Sequence, residues 1–410
     1  MKKIGLKILR FILKSLAKAT LRKYQPGIIG VTGSVGKTSA KLAIGAVLGK
    51  YRKTRVSPAN FNNEIGLPLT ILGDYSAITG RLFWLRVILS SIKNLVLRAD
   101  YPEILVLEYG ADKPGDLNYL LSIAQPQIGV ITAVGEIPVH VEFYSGPEEV
   151  AREKAKLVES LSSSGIAVLN IDDVWTKEIQ SRLKAKIITY GFNKSAQVMI
   201  SNFENYYKEF PWGVRFKLEY QGNCVPVKLN KVLGRGAAYS AACAACVGLT
   251  FGLNLIEITE ALSERYSPPK SRMNLLVGVK NTIIIDDCYN ASPLSMKNAL
   301  NTLKELPAKR KVVVLGDMLE IGRYSLKVHQ EIGRFLASFV DVLFTIGPRA
   351  KFIAAGAKQM GMPQDKIFSY LYADQAKKPV ELELQPGDVI LVKGSRAMHL
   401  EKVVEEIKKY

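Results

Sequence analysis

One loop constrains this chain more than any other feature. It is Thr32-Gly33-Ser34-Val35-Gly36-Lys37-Thr38-Ser39, preceded by the apolar run Gly27-Ile28-Ile29-Gly30-Val31. The run reads as a short buried strand, and from Thr38 to Leu48 apolar residues recur with a helical period. A glycine-rich turn between a strand and a helix aims several backbone N–H groups, and the positive helix end, at an anion. Lys37 adds a point charge for the outer phosphates, and the Thr38 hydroxyl suits Mg²⁺. The common phosphate-loop spacing G-x-x-x-x-G-K-[ST] asks for glycine at position 31, where this chain has Val31. A plain strand-to-helix turn with a solvated lysine is the alternative. The strand in front and the Thr32-Gly33 pair favour phosphate binding by residues 32–39.

The rest of the chain alternates in the same way. "PEILVLEYGA" (102–111) reads as a strand ending in the carboxylate Glu108, "QIGVITAVG" (127–135) as another before His140, and "GIAVLNIDD" (165–173) as a third. Strands alternating with helices imply a mostly parallel sheet, with ligands at the strand C-terminal ends. Residues 195–232 switch to short β-like runs, expected as an antiparallel appendage. Pro268-Pro269-Lys270-Ser271 reads as a linker, after which "NTIIIDD", "KVVVLGD", "VDVLFTIG" and "GDVILVKGS" restart the alternation. The expected class is α/β in three parts. Residues 1–26 form a basic amphipathic helix, 27–267 a phosphate-loop domain, and 268–410 a Rossmann-like α/β domain. Neither repeats nor low-complexity tracts interrupt it.

Charge is distributed unevenly. The net charge is +19, yet no Asp or Glu precedes Glu64. Lys3, Lys7, Arg10, Lys14, Lys18 and Arg22 recur every three or four residues among apolar neighbours, which predicts a helix with one basic face. Charges interrupt the apolar part too often for a signal peptide or a bilayer span. Such a helix either lies on an anionic membrane surface, through residues 1–24, or docks on its own domain with solvated lysines. "GRLFWLRVILSSIKNLVLR" (80–98) has the same character. Nucleic acid is not expected, because the aromatic residues are not interleaved with the basic ones.

Cys224, Cys243, Cys246 and Cys288 show no disulfide framework, and Cys243-x-x-Cys246 lies in "YSAACAACVGL", where a helix would use small residues for close packing. With three histidines far apart, a zinc site is not expected, and a reducing cytoplasm fits, with peripheral placement at the inner membrane face.

Taken in order, the motifs resemble the Mur ligase family, whose loop T-G-x-x-G-K-[TS] is matched throughout by Thr32–Thr38. "NFNNEIGLPLT" (60–70), "DDCYNASPLSM" (286–296), "VLGDMLEIG" (314–322) and "VKGSRAMHLE" (392–401) carry the resemblance over residues 27–410. It implies an ATP-dependent, ADP-forming amide ligase of peptidoglycan precursor synthesis. A muramoyl-peptide carboxylate is activated as an acyl phosphate, which the amine of D-alanyl-D-alanine attacks. The resemblance further implies two Mg²⁺ ions, one on Thr38 and Glu108, the other on His140 and a carbamylated Lys154, with Lys37, His140 and Lys154 as the catalytic set. From residue type alone Lys154 reads as an ordinary surface lysine. Arg272, Asp287 and Asn290 would complete the nucleotide site, while Asn60, Asn62, Asn63, Lys393, Ser395 and Arg396 would contact substrate.

Two departures accompany it. Gly234-Arg235-Gly236-Ala237-Ala238-Tyr239-Ser240 stands where the family has G-x-H-N-x-x-N, so the asparagines near the adenine are replaced. Only 26 residues precede Gly27, where family members carry a UDP-binding domain. Another amino-acid ligase of the superfamily, resembling folylpolyglutamate synthase, and a non-catalytic membrane-associated nucleotide-binding protein are the competing readings.

Overall fold

The computed structural model describes residues 2–58, 60–80, 82–97, 99–206 and 212–409. Arg81 and Arg98 of the 80–98 stretch, and the side chain of Lys3, lie outside the described residues.

The chain begins with α1 (Lys2–Tyr24), followed by β1 (Gly27–Thr32), α2 (Lys37–Leu48), β2 (Thr54–Val56), α3 (Gly66–Leu72) and α4 (Phe83–Val96). It continues through β3 (Ile104–Glu108), α5 (Asp116–Leu121), β4 (Ile128–Ile131), α6 (Pro147–Glu159), β5 (Ile166–Asn170), α7 (Thr176–Gln180) and β6 (Lys186–Gly191). Three longer strands, β7 (Val198–Tyr206), β8 (Gly213–Tyr220) and β9 (Asn223–Asn230), lead to α8 (Arg235–Thr250) and α9 (Leu255–Arg265). All nine strands form one sheet in the order β2-β3-β1-β4-β5-β6-β7-β8-β9. It is parallel as far as β7, and the β7-β8-β9 end is antiparallel, as the sequence pattern led one to expect. β1, β3 and β4 are near-continuous apolar runs because helices cover both faces of a parallel sheet.

α8 carries the alanines and both inner cysteines. It packs along α2, and Cys243 and Cys246 are buried and free. A Cβ on Gly248 would press on Ile258 and Val47, so small residues let these helices approach.

Beyond the linker lie β10 (Asn274–Val277), β11 (Ile283–Asp287), α10 (Pro293–Glu305), β12 (Lys311–Gly316), α11 (Ser325–Leu336) and β13 (Val342–Ile346). After them come α12 (Lys351–Gln359), β14 (Ile367–Tyr370), α13 (Ala373–Glu383), β15 (Val389–Lys393) and α14 (Glu401–Ile407). The second sheet runs β10-β11-β15-β12-β13-β14, with β10 alone antiparallel at the edge. The last strand inserts between β11 and β12 and aligns Asp287 with Lys393 at the C-terminal edge.

The N-terminal helix docks on the first sheet's domain. Leu13, Ala17 and Thr20, spaced four and three, are buried, and α1 packs on α3 and α4. Part of its basic stripe is engaged within the protein: Arg10 pairs with Glu64, and Lys14 Nζ donates to Ser122 Oγ. Lys23 Nζ donates to the carbonyls of Asn94, Leu95 and Leu97, satisfying the C-terminal end of α4 as a cation there should. Lys7 and Arg22 stay exposed.

Candidate active site

β1 lies between β3 and β4, with Val31 level with Glu108, so the 32–39 loop and the Glu108 carboxylate leave the same edge of the sheet together. Gly33 and Gly36 take φ of 143° and 90°, a region open to glycine and costly for other residues. A Cβ on Gly33 would also collide with Thr132 Oγ1. Ser34 N and Val35 N donate to Ala133 O, whereas Ser34 Oγ is buried with no hydrogen-bond partner among the described residues. Lys37 Nζ rests on Gly33 O at 2.8 Å. Ser39 and Tyr266 both stand on the cavity wall. Cradle, orphaned hydroxyl and held ammonium together suit a polyphosphate.

Glu108 is the hub behind the loop. Its Oε2 pairs with Lys41 at 2.7 Å and accepts from Thr38 Oγ1 at 3.2 Å, while Oε1 accepts from Asn62 Nδ2 at 3.1 Å. Burial opposes its ionisation, yet Lys41, Lys37 and Arg272 together hold its carboxyl below the ordinary range. Burial also lowers the ammonium pKa of Lys37 and Lys41, with Glu108 opposing. Lys41 was not foreseen, although a lysine one turn past Lys37 on a helix with an apolar buried face was a usable signal. Of the neighbouring asparagines, Asn63 Oδ1 accepts from the N–H groups of Ile65 and Gly66 at the start of α3, and Asn60 lines the cavity.

His140 adopts the left-handed conformation, φ 70°. Its Nε2 lies 3.2 Å from Asp112 Oδ1 and its Nδ1 2.8 Å from Glu320 Oε2. Glu320 comes from the loop after β12, so this imidazole joins the two sheets' domains. Glu142 and Gly322 reinforce that seam. Lys154, on α6, is 1% exposed, unlike the surface lysine its neighbours suggest. Its Nζ makes one long hydrogen bond among the described residues, 3.5 Å to Ala111 O. Burial first, then the Lys37 charge, depress its pKa to about 7.

Across the cleft, Arg272 Nη2 donates to Thr38 Oγ1 at 3.1 Å. The Tyr289 ring lies between two guanidinium groups, 4.2 Å from Arg272 and 5.5 Å from Arg396, contacts worth about 1 kcal/mol each. Asp287 pairs with the buried Lys393 at 2.6 Å, and burial raises its carboxyl pKa despite that partner. Lys393 also donates to Asn290 O. Ser395 Oγ accepts from Leu319 N, which places it in the turn beside Glu320. Arg396 therefore reaches the site through Tyr289, and Lys393 by orienting Asp287 and the 287–290 turn.

Lys37, Glu108, His140, Arg272, Asp287, Asn290 and Lys393 line a cavity of about 380 Å³, whereas Lys154, Ser395 and Arg396 are outside its lining. A second cavity of about 770 Å³ shares Val35, Gly36 and Arg235 with it and continues past Asn170, Asp172 and Tyr239. The replaced asparagines correspond to Ala237, buried on the wall of the smaller cavity, and Ser240, and their neighbours Arg235 and Tyr239 carry the polar groups here. Arg235 lies over Phe192, Tyr239 OH donates to Asp172 Oδ2 at 2.9 Å, and Ser240 Oγ turns back to Gly236 O. The residues that Arg235 and Tyr239 meet could not be read from the 234–240 stretch alone.

Residues 90–248 match the Mur ligase middle domain, and residues 271–396 match the Mur ligase glutamate ligase domain. The UDP-N-acetylmuramoyl-tripeptide–D-alanyl-D-alanine ligase of Bacillus subtilis is 30% identical, over 96% of this chain and 79% of its own length. Among solved structures, MurF ligase from Thermotoga maritima in complex with ADP superposes with a TM-score of 0.79 at 28% identity, over 97% of this chain and 83% of that one. MurF from Acinetobacter baumannii gives 0.80 at 25% identity, covering 97% and 80%. With loop, cleft and both domain matches in agreement, this chain belongs to the Mur ligase family.

Proposed function

We propose that this protein is an ATP-dependent amide ligase of peptidoglycan synthesis that joins D-alanyl-D-alanine to the terminal carboxylate of a UDP-N-acetylmuramoyl-tripeptide. The observation that carries it is the convergence on Thr38 of the phosphate loop, the Glu108 carboxylate and Arg272 from across the cleft. The relatives' names supply the substrates.

The phosphates of ATP suit the 32–39 cradle, where Ser34 Oγ has room for an acceptor oxygen. The base suits the larger cavity, near Asn170 and Tyr239. A substrate carboxylate oxygen bonds to the γ-phosphorus as the bond to the β-phosphate oxygen breaks, and ADP leaves. The amine then bonds to the acyl carbon, phosphate departs with the carboxylate oxygen, and the amine proton passes to solvent. Lys37 and Arg272 neutralise charge on the transferred group, which is most of what phosphoryl transfer needs. Thr38 and Glu108 would hold one Mg²⁺, and His140 with Lys154 a second; when bound, such ions neutralise phosphate charge. Lys154 fits a carbamate. A buried amine with a pKa near 7 is largely neutral at physiological pH, so it can attack CO₂, releasing a proton.

Attachment to an anionic membrane through residues 1–24 belongs to the same reading. Lys7 and Arg22 face solvent while Leu13 and Ala17 hold the helix to the domain.

Phosphate release from ATP across a panel of acceptors tests the assignment. Turnover should require both the muramoyl tripeptide and D-alanyl-D-alanine. Turnover with a pteroyl substrate and glutamate instead would favour the folylpolyglutamate-type alternative, and no coupled turnover would favour a binding protein.

A further inference from the structure

α4 is apolar on its outward side as well as on the side it buries. Phe83, Val87 and Ser91 face the protein. Leu85, Leu89, Ile92 and Val96, together with Leu82 just before the helix, face outward at spacings of three and four, each between 46% and 76% exposed. Singly exposed apolar residues are ordinary, but a continuous stripe marks an interaction surface. Arg86 and Lys93, both exposed, border the stripe. Residues 75–99 contain no Asp or Glu.

α1 packs along this helix, fixed by the Lys23 contacts and by Tyr24 OH donating to Asn94 O. Its outer side adds exposed Ile8 and Phe11 beside Lys7, with exposed Arg22 about three turns further along. Two helices held together thus present apolar side chains bordered by positive charge.

We propose that α4 and the outer side of α1 form one docking surface for an anionic lipid bilayer. The α4 stripe enters the interface, and the basic residues of both helices meet the headgroups. This rests on the membrane reading above and moves its main contact from α1 to α4. Charge decides against a second copy of the chain as occupant. Pairing two such faces would set Arg86 and Lys93 near their own kind, with no acid on either helix to neutralise them. An anionic surface supplies the missing charge, and Arg and Lys stems can lie along the apolar stripe with their heads in the headgroup layer. No described helix is long and apolar enough to cross a membrane, so the contact lies in the plane of the interface.

The test uses the full chain and vesicles of phosphatidylcholine with or without phosphatidylglycerol. The parent protein should co-sediment with the phosphatidylglycerol vesicles at low salt. The Leu85→Ser/Leu89→Ser/Val96→Ser variant should bind at least about tenfold more weakly, because less apolar area enters the interface. Arg86→Glu/Lys93→Glu should weaken binding at low salt and have less effect at high salt, where charge is screened. Both variants alter exposed positions away from the cleft, so melting temperature and ligase turnover in solution should match the parent. A parent that binds with both variants binding equally well would overturn the role of α4 and leave attachment through α1 standing. A parent that ignores anionic vesicles would overturn both. Sedimentation as a dimer that the triple variant abolishes, without vesicle binding, would assign the surface to a second copy and overturn the lipid.

Discussion

Arg272 and Thr38 are 234 residues apart in the chain, yet the Arg272 guanidinium donates to the Thr38 hydroxyl across the cleft at 3.1 Å. The contact lies immediately beyond the 268–271 linker, where Ser271 and Met273 take left-handed backbone conformations. Linker geometry and the 32–39 loop are therefore joined at one arginine. Arg272→Ala should lower kcat on the order of 10²-fold, as removal of a charge-stabilising contact commonly does. It should also blunt domain closure on adding a non-hydrolysable ATP analogue with substrate. Small-angle scattering would read this as a smaller fall in radius of gyration than in the parent, and an identical fall would separate Arg272 from closure.

Lys37→Ala should abolish turnover without unfolding the protein, a loss on the order of 10²-fold or more. Steady-state kinetics beside a thermal melt checks it; near-normal turnover by a folded variant would remove the phosphate-loop assignment.

Lys154 makes two predictions of opposite sign. Lys154→Met should be inactive, whereas Lys154→Ala should recover part of its activity with added short carboxylates. Stability should move the other way. Folding lowers the lysine's pKa from 10.5 to about 7, so between those values the unfolded chain binds the extra proton. Stability contributed at this site is therefore present at high pH, is lost as pH falls from about 10.5 to about 7, and falls no further below that. At pH 7 Lys154→Met should be more stable on the order of a few kcal/mol by denaturant melts, with the difference shrinking as pH rises. A destabilised Lys154→Met variant would show that the amine is held by partners rather than merely buried.

The Lys41–Glu108 pair is buried on both sides. Removing one partner leaves an uncompensated charge, so Lys41→Ala should cost about 3 kcal/mol or more in urea unfolding. Lys41→Met/Glu108→Leu should restore most of that stability but no activity. A double variant as unstable as the single one would contradict the pair's role as mutual neutralisation.

Much of this arrangement was legible in the chain because it is local. The cradle, the parallel strands around β1, the antiparallel strands to Asn230 and the small-residue helix at Cys243 and Cys246 each follow from residue type and spacing within a short window. What joins distant segments was not legible. The Glu320 contact to His140 depends on how the two domains meet, and burial of Lys154 depends on what α6 packs against rather than on the basic neighbours Arg152 and Lys156. The basic period of α1 suggested one charged face, but Leu13, Ala17 and Thr20 show the competing apolar stripe that docks the helix. Asn63, expected as a substrate contact, lines the smaller cavity, and its Oδ1 also satisfies the N–H groups that open α3, a capping role the sequence reading left out.

The central claim is that this cleft drives amide formation by passing a phosphoryl group to a carboxylate. Heavy-oxygen labelling of the muramoyl tripeptide's terminal carboxylate tests it most directly, with mass spectrometry of the released phosphate. The account predicts that the phosphate carries a heavy oxygen for each peptide bond formed. Phosphate released without label while peptide product accumulates would contradict it.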